Sequence, residues 1–170
     1  MRTRIAALAL AASCGAVPAL AQTAQVLKQD KSIDVASFKT FSYQVGHAAL
    51  LKEVDQRIQA GIEAQLVARG LQKAASGPGD LVYTYHSIQR QDVDLATVDK
   101  KGPGGEKLEP TILKVGTLAL DLKEGSTGKL AWRGKIEGVL TGDHAAQLET
   151  VDKAIAALFE KYPGNKAPGK

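Results

Sequence analysis

From Lys114 to Leu140 apolar and polar residues alternate in two runs joined by a polar turn. Leu118, Leu120 and Leu122 take every second position of the first run. Leu130, Trp132, Ile136 and Leu140 keep the same spacing in the second, with Arg133, Lys135 and Glu137 between them. A period of two puts one face of a strand on a core and the other in water. Lys123-Glu-Gly-Ser-Thr-Gly-Lys129 between the runs predicts a hairpin turn.

Elsewhere the pattern changes period. Leu51, Val54, Ile58, Ile62 and Leu66 recur at threes and fours, with Lys52, Glu53, Asp55, Gln56, Arg57 and Gln59 opposite. That spacing predicts an amphipathic helix of about five turns, ended by Arg69-Gly70. A second helix is predicted behind Asp143, with Leu148, Val151, Ile155, Leu158 and Tyr162 as its apolar stripe and Pro163-Gly164 as its stop. Phe38–Tyr43 and Leu81–Ile88 read as strands, the latter extending through Gln91–Leu95. Gln22 to Ser37 reads as an extended arm or edge strand. The expected fold is α+β: a mainly antiparallel sheet of four or five strands with two helices packed on one face, in the order β-α-β-β-β-α. If the strands flanking the long helix pair in parallel, their connection is a right-handed crossover.

Composition changes the picture mainly at the N-terminus. Met1-Arg-Thr-Arg4 is a positive n-region, Ile5 to Ala12 a short apolar run, and Pro18-Ala-Leu-Ala21 a small-residue cleavage site. The run is too short to span a bilayer. Export is therefore expected, with 1–21 a signal peptide cut before Gln22, 22–163 a single domain and 164–170 a tail. Cys14 is the alternative: Ala11-Ala-Ser-Cys14 resembles a lipidation signal but lacks the branched apolar residue three positions before the cysteine. A cut after Ala21 leaves a mature chain without cysteine, hence without a thiol nucleophile, a cysteine metal site or a disulfide.

The pI near 9.1 suggests nucleic acid, and the distribution of charge argues against it. Two of the 22 basic residues, Arg2 and Arg4, lie in the leader, leaving 20 against 18 acids, a net of +2. Those bases are scattered and not interleaved with aromatic residues, so no nucleic-acid partner is expected. At 170 residues the chain builds a core without a staple.

Candidate chemistry is thin. His47, His86 and His144 have no helical metal-ligand spacing, so a metal site would need convergence in space, and none is assigned. Asp92, Asp94 and Asp99 lack the glycine and distal glutamate of a calcium loop. Lys100-Lys-Gly-Pro-Gly-Gly-Glu-Lys107 lacks phosphate-loop spacing and reads as a solvated hairpin excursion. Asp121 and Glu137 are the strand acids available for glycosidic chemistry, without an aromatic platform for a sugar. Ser87 and His86 lack a nucleophile elbow. No catalytic residue and no cofactor is assigned. Trp132, with Tyr83, either anchors a ligand pocket beneath the helices or fills the core under Leu158 and Ile58. Arg133, Lys135 and Glu137 point to the opposite face, as a solvated surface or an interaction face.

Phe38-Lys-Thr-Phe-Ser-Tyr43, Ile58 through Ala68-Arg-Gly70, Asp80-Leu-Val-Tyr83, Gly116-Thr-Leu-Ala-Leu-Asp-Leu122, Lys129-Leu-Ala-Trp-Arg-Gly134 and Tyr162-Pro163 together resemble the bacterial domain-of-unknown-function family 4136 (DUF4136). The resemblance runs over about residues 26 to 163 and centres on the Gly-Thr-Leu and Trp-Arg-Gly pair. It implies an exported envelope protein, often a lipoprotein, and brings no catalytic residues. The element order also looks like that of small outer-membrane-associated lipoproteins with two helices on one sheet face, an analogy of fold alone. The function expected is a non-enzymatic binding or structural module of the periplasm or outer membrane. Its partner would be an envelope protein, lipid or peptidoglycan, and no transmembrane helix is expected in the mature chain. The alternative is a small periplasmic hydrolase or ligand carrier with its site between helices and sheet.

Overall fold

In the computed structural model the alternating run from Lys114 to Leu140 folds as two neighbouring antiparallel strands. Residues 23–166 are described; the leader, its cleavage point, Cys14 and tail positions 167–170 lie outside the described residues. In chain order the elements are β1 Thr23–Gln29, β2 Thr40–Tyr43, α1 Lys52–Ala68, β3 Gln72–Lys73, β4 Leu81–Val93, β5 Ile112–Glu124, β6 Leu130–Val139 and α2 His144–Glu160.

All six strands form one sheet in the order β1-β6-β5-β4-β2-β3. β4, β5, β6 and β1 pair antiparallel in succession, whereas β2 pairs in parallel with both β4 and β3. This corrects the expectation of a four- or five-stranded, mainly antiparallel sheet in the order β-α-β-β-β-α. Two causes account for the difference. The stretch before Phe38 is a full edge strand on β6, and the two residues of β3 are too few to show any period. The chain leaving β2 returns through the 17 residues of α1, a span of about 25 Å that carries it back along the strand. It therefore re-enters the sheet in the same direction, first as β3 and then as β4.

Both helices lie against one face. Ile58, Ile62 and Leu66 of α1 and Ile155, Leu158 and Phe159 of α2 share one buried cluster with Tyr83, Tyr85, Leu118, Leu120, Leu122, Trp132 and Ile136 of the sheet. Arg57 Nε donates to Asp152 Oδ1 at 2.8 Å, joining the two helices at the surface. α2 begins where expected, the Asp143 carboxylate accepting from the Ala146 N–H at 3.0 Å. The β5–β6 register slips between Leu122 and Lys123, so Ala131 is fully buried and Leu130 only partly. Leu130 thus drops out of the apolar row read from the sequence.

Candidate functional site

The register sorts every strand residue onto one of two faces. Tyr83, Leu122 and Trp132 lie side by side on β4, β5 and β6, as do Tyr85, Leu120 and Gly134. These rows face the helices. Thr84, Asp121 and Arg133 form one row of the other face, extended by Lys28 of β1. His86, Ala119, Lys135 and Gln25 form the next, and Ile88, Thr117, Glu137 and Thr23 the third. No helix covers this second face among the described residues.

On the covered face the two residues singled out by sequence are interior. Trp132 is 0 % exposed, in the same cluster as Leu158 and Ile58, and its ring folds over Gly134. A Cβ at position 134 would stand 2.2 Å from the indole edge, so only glycine leaves room for this rotamer. The Trp132 and Tyr162 rings meet edge to face at 6.0 Å. Tyr83 is also fully buried, with its hydroxyl donating to Glu63 Oε1 at 2.9 Å. Lys73 Nζ holds the same oxygen at 2.8 Å. Tyr85 donates likewise to Asp55 at 2.8 Å. Burial, reinforced by the carboxylates, pushes both phenols far above the ordinary tyrosine range, so they remain donors. Nothing in the sequence pattern marked Asp55 and Glu63, which lie on the polar side of α1 and lean down onto the sheet.

Between helices and sheet, away from the tryptophan, an apolar cavity of about 50 Å³ is lined by Val54, Ile58, Leu118, Ile136, Val151 and Ala154, among others. It is far below the ~300–1,000 Å³ of sites that bury drug-sized ligands.

The uncovered face carries the charge. Arg133 grips Asp121 side-on through one guanidinium edge, Nε donating to Oδ1 at 2.5 Å and Nη2 to Oδ2. Asp121 is only 3 % exposed, and its carboxylate raises the Arg133 guanidinium above its ordinary value. Glu137 accepts from Arg90 at 2.7 Å and Thr117 at 3.1 Å, and pairs with Lys135 at 2.9 Å. Arg90 also holds Asp92 at 3.0 Å. The hydrogen bond from Arg90, then that from Lys135, hold the Glu137 carboxyl down at about 2. A groove of about 490 Å³ opens beside this cluster, lined by Arg90, Asp92, Lys135 and Glu137 with Val115 and Val139.

The remaining candidates separate. Asp121 and the Glu137 neighbour Thr117 lie four residues apart on β5, on the order of 13 Å, and each acid is claimed by an arginine. That is wider than the ~5–9.5 Å spacing of glycosidase carboxyls. His86 and Ser87 are adjacent in β4 and so face opposite ways. Asp94 caps its own turn through Ala96, and Asp99 lies 3.8 Å from Lys107. Among the described residues no three His, Cys, Asp or Glu side chains are placed to hold a metal ion. Two histidines do meet: His47 is the bridge partner of His86.

Residues 25–164 match a family described as Domain of unknown function (DUF4136). No curated protein matches the chain. Of solved structures, a PDZ domain protein from Parabacteroides distasonis superposes with a TM-score of 0.56 at 14% identity, over 85% of this chain and 35% of that one. The chain thus spans about a third of that protein, and what they share is the fold. The PelC dodecamer from Paraburkholderia phytofirmans, at TM-score 0.47 and 12% identity, covers 81% of this chain and 97% of its own. A minor lipoprotein from Acinetobacter baumannii gives 0.45 and 12% over 73% and 91%. These two likenesses are too loose to carry an argument. No helix among the described residues is long and apolar enough to cross a membrane.

Proposed function

This chain belongs to the DUF4136 family, whose role is undefined, and from that premise we propose an exported cell-envelope protein that works by binding rather than by catalysis. Its working surface is the uncovered sheet face around Arg133, Lys135 and Glu137, and its partner is an envelope protein, a lipid or peptidoglycan. Export is supported by the basic n-region, the short apolar run and the Ala19-Leu-Ala21 cleavage signature. The observation that carries the binding reading is the division of labour between the two faces. The aromatic residues that could line a pocket are packed into the core, while the charged residues stand on a face with no helix over it. A hydrolase or carrier site around Trp132 and Tyr83 would have to displace those core side chains first.

Intact mass of the protein recovered from the envelope tests export. A first residue of Gln22 is expected; a mass carrying a diacylglyceryl group on Cys14 replaces secretion with anchoring, and an uncleaved cytosolic chain defeats the proposal. For the surface, photo-crosslinkers at Gln25 and Ile88, both exposed on the uncovered face, are compared with one at Lys153 on α2. Adducts confined to the first two support the reading, and equal yields from all three remove it.

A further inference from the structure

His47 and His86 are 39 positions apart in sequence and become neighbours because the chain beyond β2 keeps pairing with β4. The His47 N–H donates to the Tyr85 carbonyl at 3.1 Å, and the His47 carbonyl accepts from the Ser87 N–H at 2.9 Å. These two bonds make His47 the parallel bridge partner of His86. Bridge partners project to the same side of a sheet, with Cβ atoms about 5 Å apart. His86 pairs with Ala119, which lies between the core-facing Leu118 and Leu120, so both imidazoles are on the uncovered face. His47 is exposed and His86 half-buried, and the methyl of Ala119 is the next group along the row.

The position of this pair is fixed by backbone. Gly46 lies flat on β4, where a Cβ would stand 2.1 Å from the Tyr85 carbonyl oxygen and 2.7 Å from Thr84 Cγ2. Any longer side chain there would lift His47 off the strand. The two rings also differ from the third histidine in what engages them. His144 Nε2 is held by Glu53 at 2.7 Å, whereas no hydrogen bond or ion pair within the described residues involves the His47 or His86 ring.

We propose that His47 and His86 form a two-imidazole binding site for a divalent transition-metal ion, Cu²⁺ or Zn²⁺, on the uncovered sheet face. Two nitrogens at ~2.0–2.1 Å from a tetrahedral ion stand ~3.3 Å apart, a convergence within reach of two imidazoles whose Cβ atoms are one strand spacing apart. Imidazole nitrogen suits copper, zinc and nickel, and copper binds tightest in that series. With no third acid, cysteine or histidine among the described residues placed to join them, the remaining coordination positions go to water or to an incoming ligand. The site is therefore open and exchanging rather than structural. It stands independently of the partner assigned to the rest of this face.

Titration of the purified protein with Cu²⁺ and Zn²⁺, followed by calorimetry and by the imidazole C–H resonances, tests the assignment. The expected result is one saturable ion per chain, tighter for Cu²⁺, with paramagnetic broadening confined to two of the three histidines. H47A and H86A each lower affinity by at least about tenfold, since even changes behind a ligand reach that size, and H144A leaves it unchanged. The broadening pattern of the unmodified protein decides the case even if a variant fails to fold. Broadening of all three rings alike, retained affinity in a folded H86A, or no saturable binding overturns the site.

Discussion

At the scale of single residues, the Arg133–Asp121 pair is more informative for its asymmetry than for its existence. The Asp121 side chain is 4% exposed and that of Arg133 43%. Removing the arginine strands a carboxylate inside the sheet surface, whereas removing the aspartate lets the guanidinium swing into water. Breaking a buried pair in the first sense costs about 3–5 kcal/mol, while an exposed partner's loss costs nearer ~1 kcal/mol. Arg133→Ala should therefore destabilise the protein more than Asp121→Ala. Urea unfolding of the two variants measures this directly, and equal midpoints would show that Asp121 is solvated in solution. Trp132 belongs to the same scale: its truncation to alanine should cost about 3–5 kcal/mol, as for other buried large aromatics, read as a lowered unfolding midpoint.

At the scale of elements, α2 depends on its first turn. Leu51, in the N-cap position of α1, makes no side-chain cap bond, so α1 starts on packing and on the acids Glu53 and Asp55, the latter accepting from the Ala49 N–H at 2.9 Å. Asp143 supplies the bond that α2 has. Asp143→Ala should lower stability by about 1 kcal/mol and Asp143→Asn by much less, measured by thermal denaturation. A loss equal in both variants would point to charge at the helix terminus as the cause. This cap was legible in the sequence because Asp143 stands directly before an apolar stripe of period 3.6. The β5–β6 hairpin was legible for a parallel reason, since Leu118, Leu120 and Leu122 alternate without interruption. β3 was not, because two residues carry no period, and the parallel pairing of β2 was not, because strand direction is set by the return path of α1. The candidate site divides in the same way. Arg133, Lys135 and Glu137 could be placed on one face by parity alone. Arg90, which closes on Glu137, comes from β4, and His47, which meets His86, from the segment beyond β2, and only the pairing with neighbouring strands brings them in.

At the scale of the whole molecule, the charge array makes stability depend on pH, with a sign that follows from the carboxylates. Glu137 ties β4 to β6 through Arg90 and is held at about 2 against an ordinary 4.5. Asp80, accepting from the Lys39 and Thr40 backbone at 2.9 Å each, is also lowered, chiefly by those two bonds. Burial raises Glu63, but its bonds from Lys73, Tyr83 and Gln59 together outweigh burial and leave it lowered. For a carboxyl depressed in the folded state, the unfolded chain takes up its proton first as acid is added. The contribution of Glu137 is thus complete above pH 4.5 and is lost progressively as pH falls towards 2. Its side chain is about a third exposed, so salt should weaken the effect. Urea midpoints measured from pH 6 down to 3 should therefore fall for the native protein and fall less steeply for Glu137→Gln. Raising the salt should bring the two curves together. Parallel curves at low salt would mean that Arg90 and Lys135 remain hydrated in solution, and that the strands of this face are held by their backbone ladder alone.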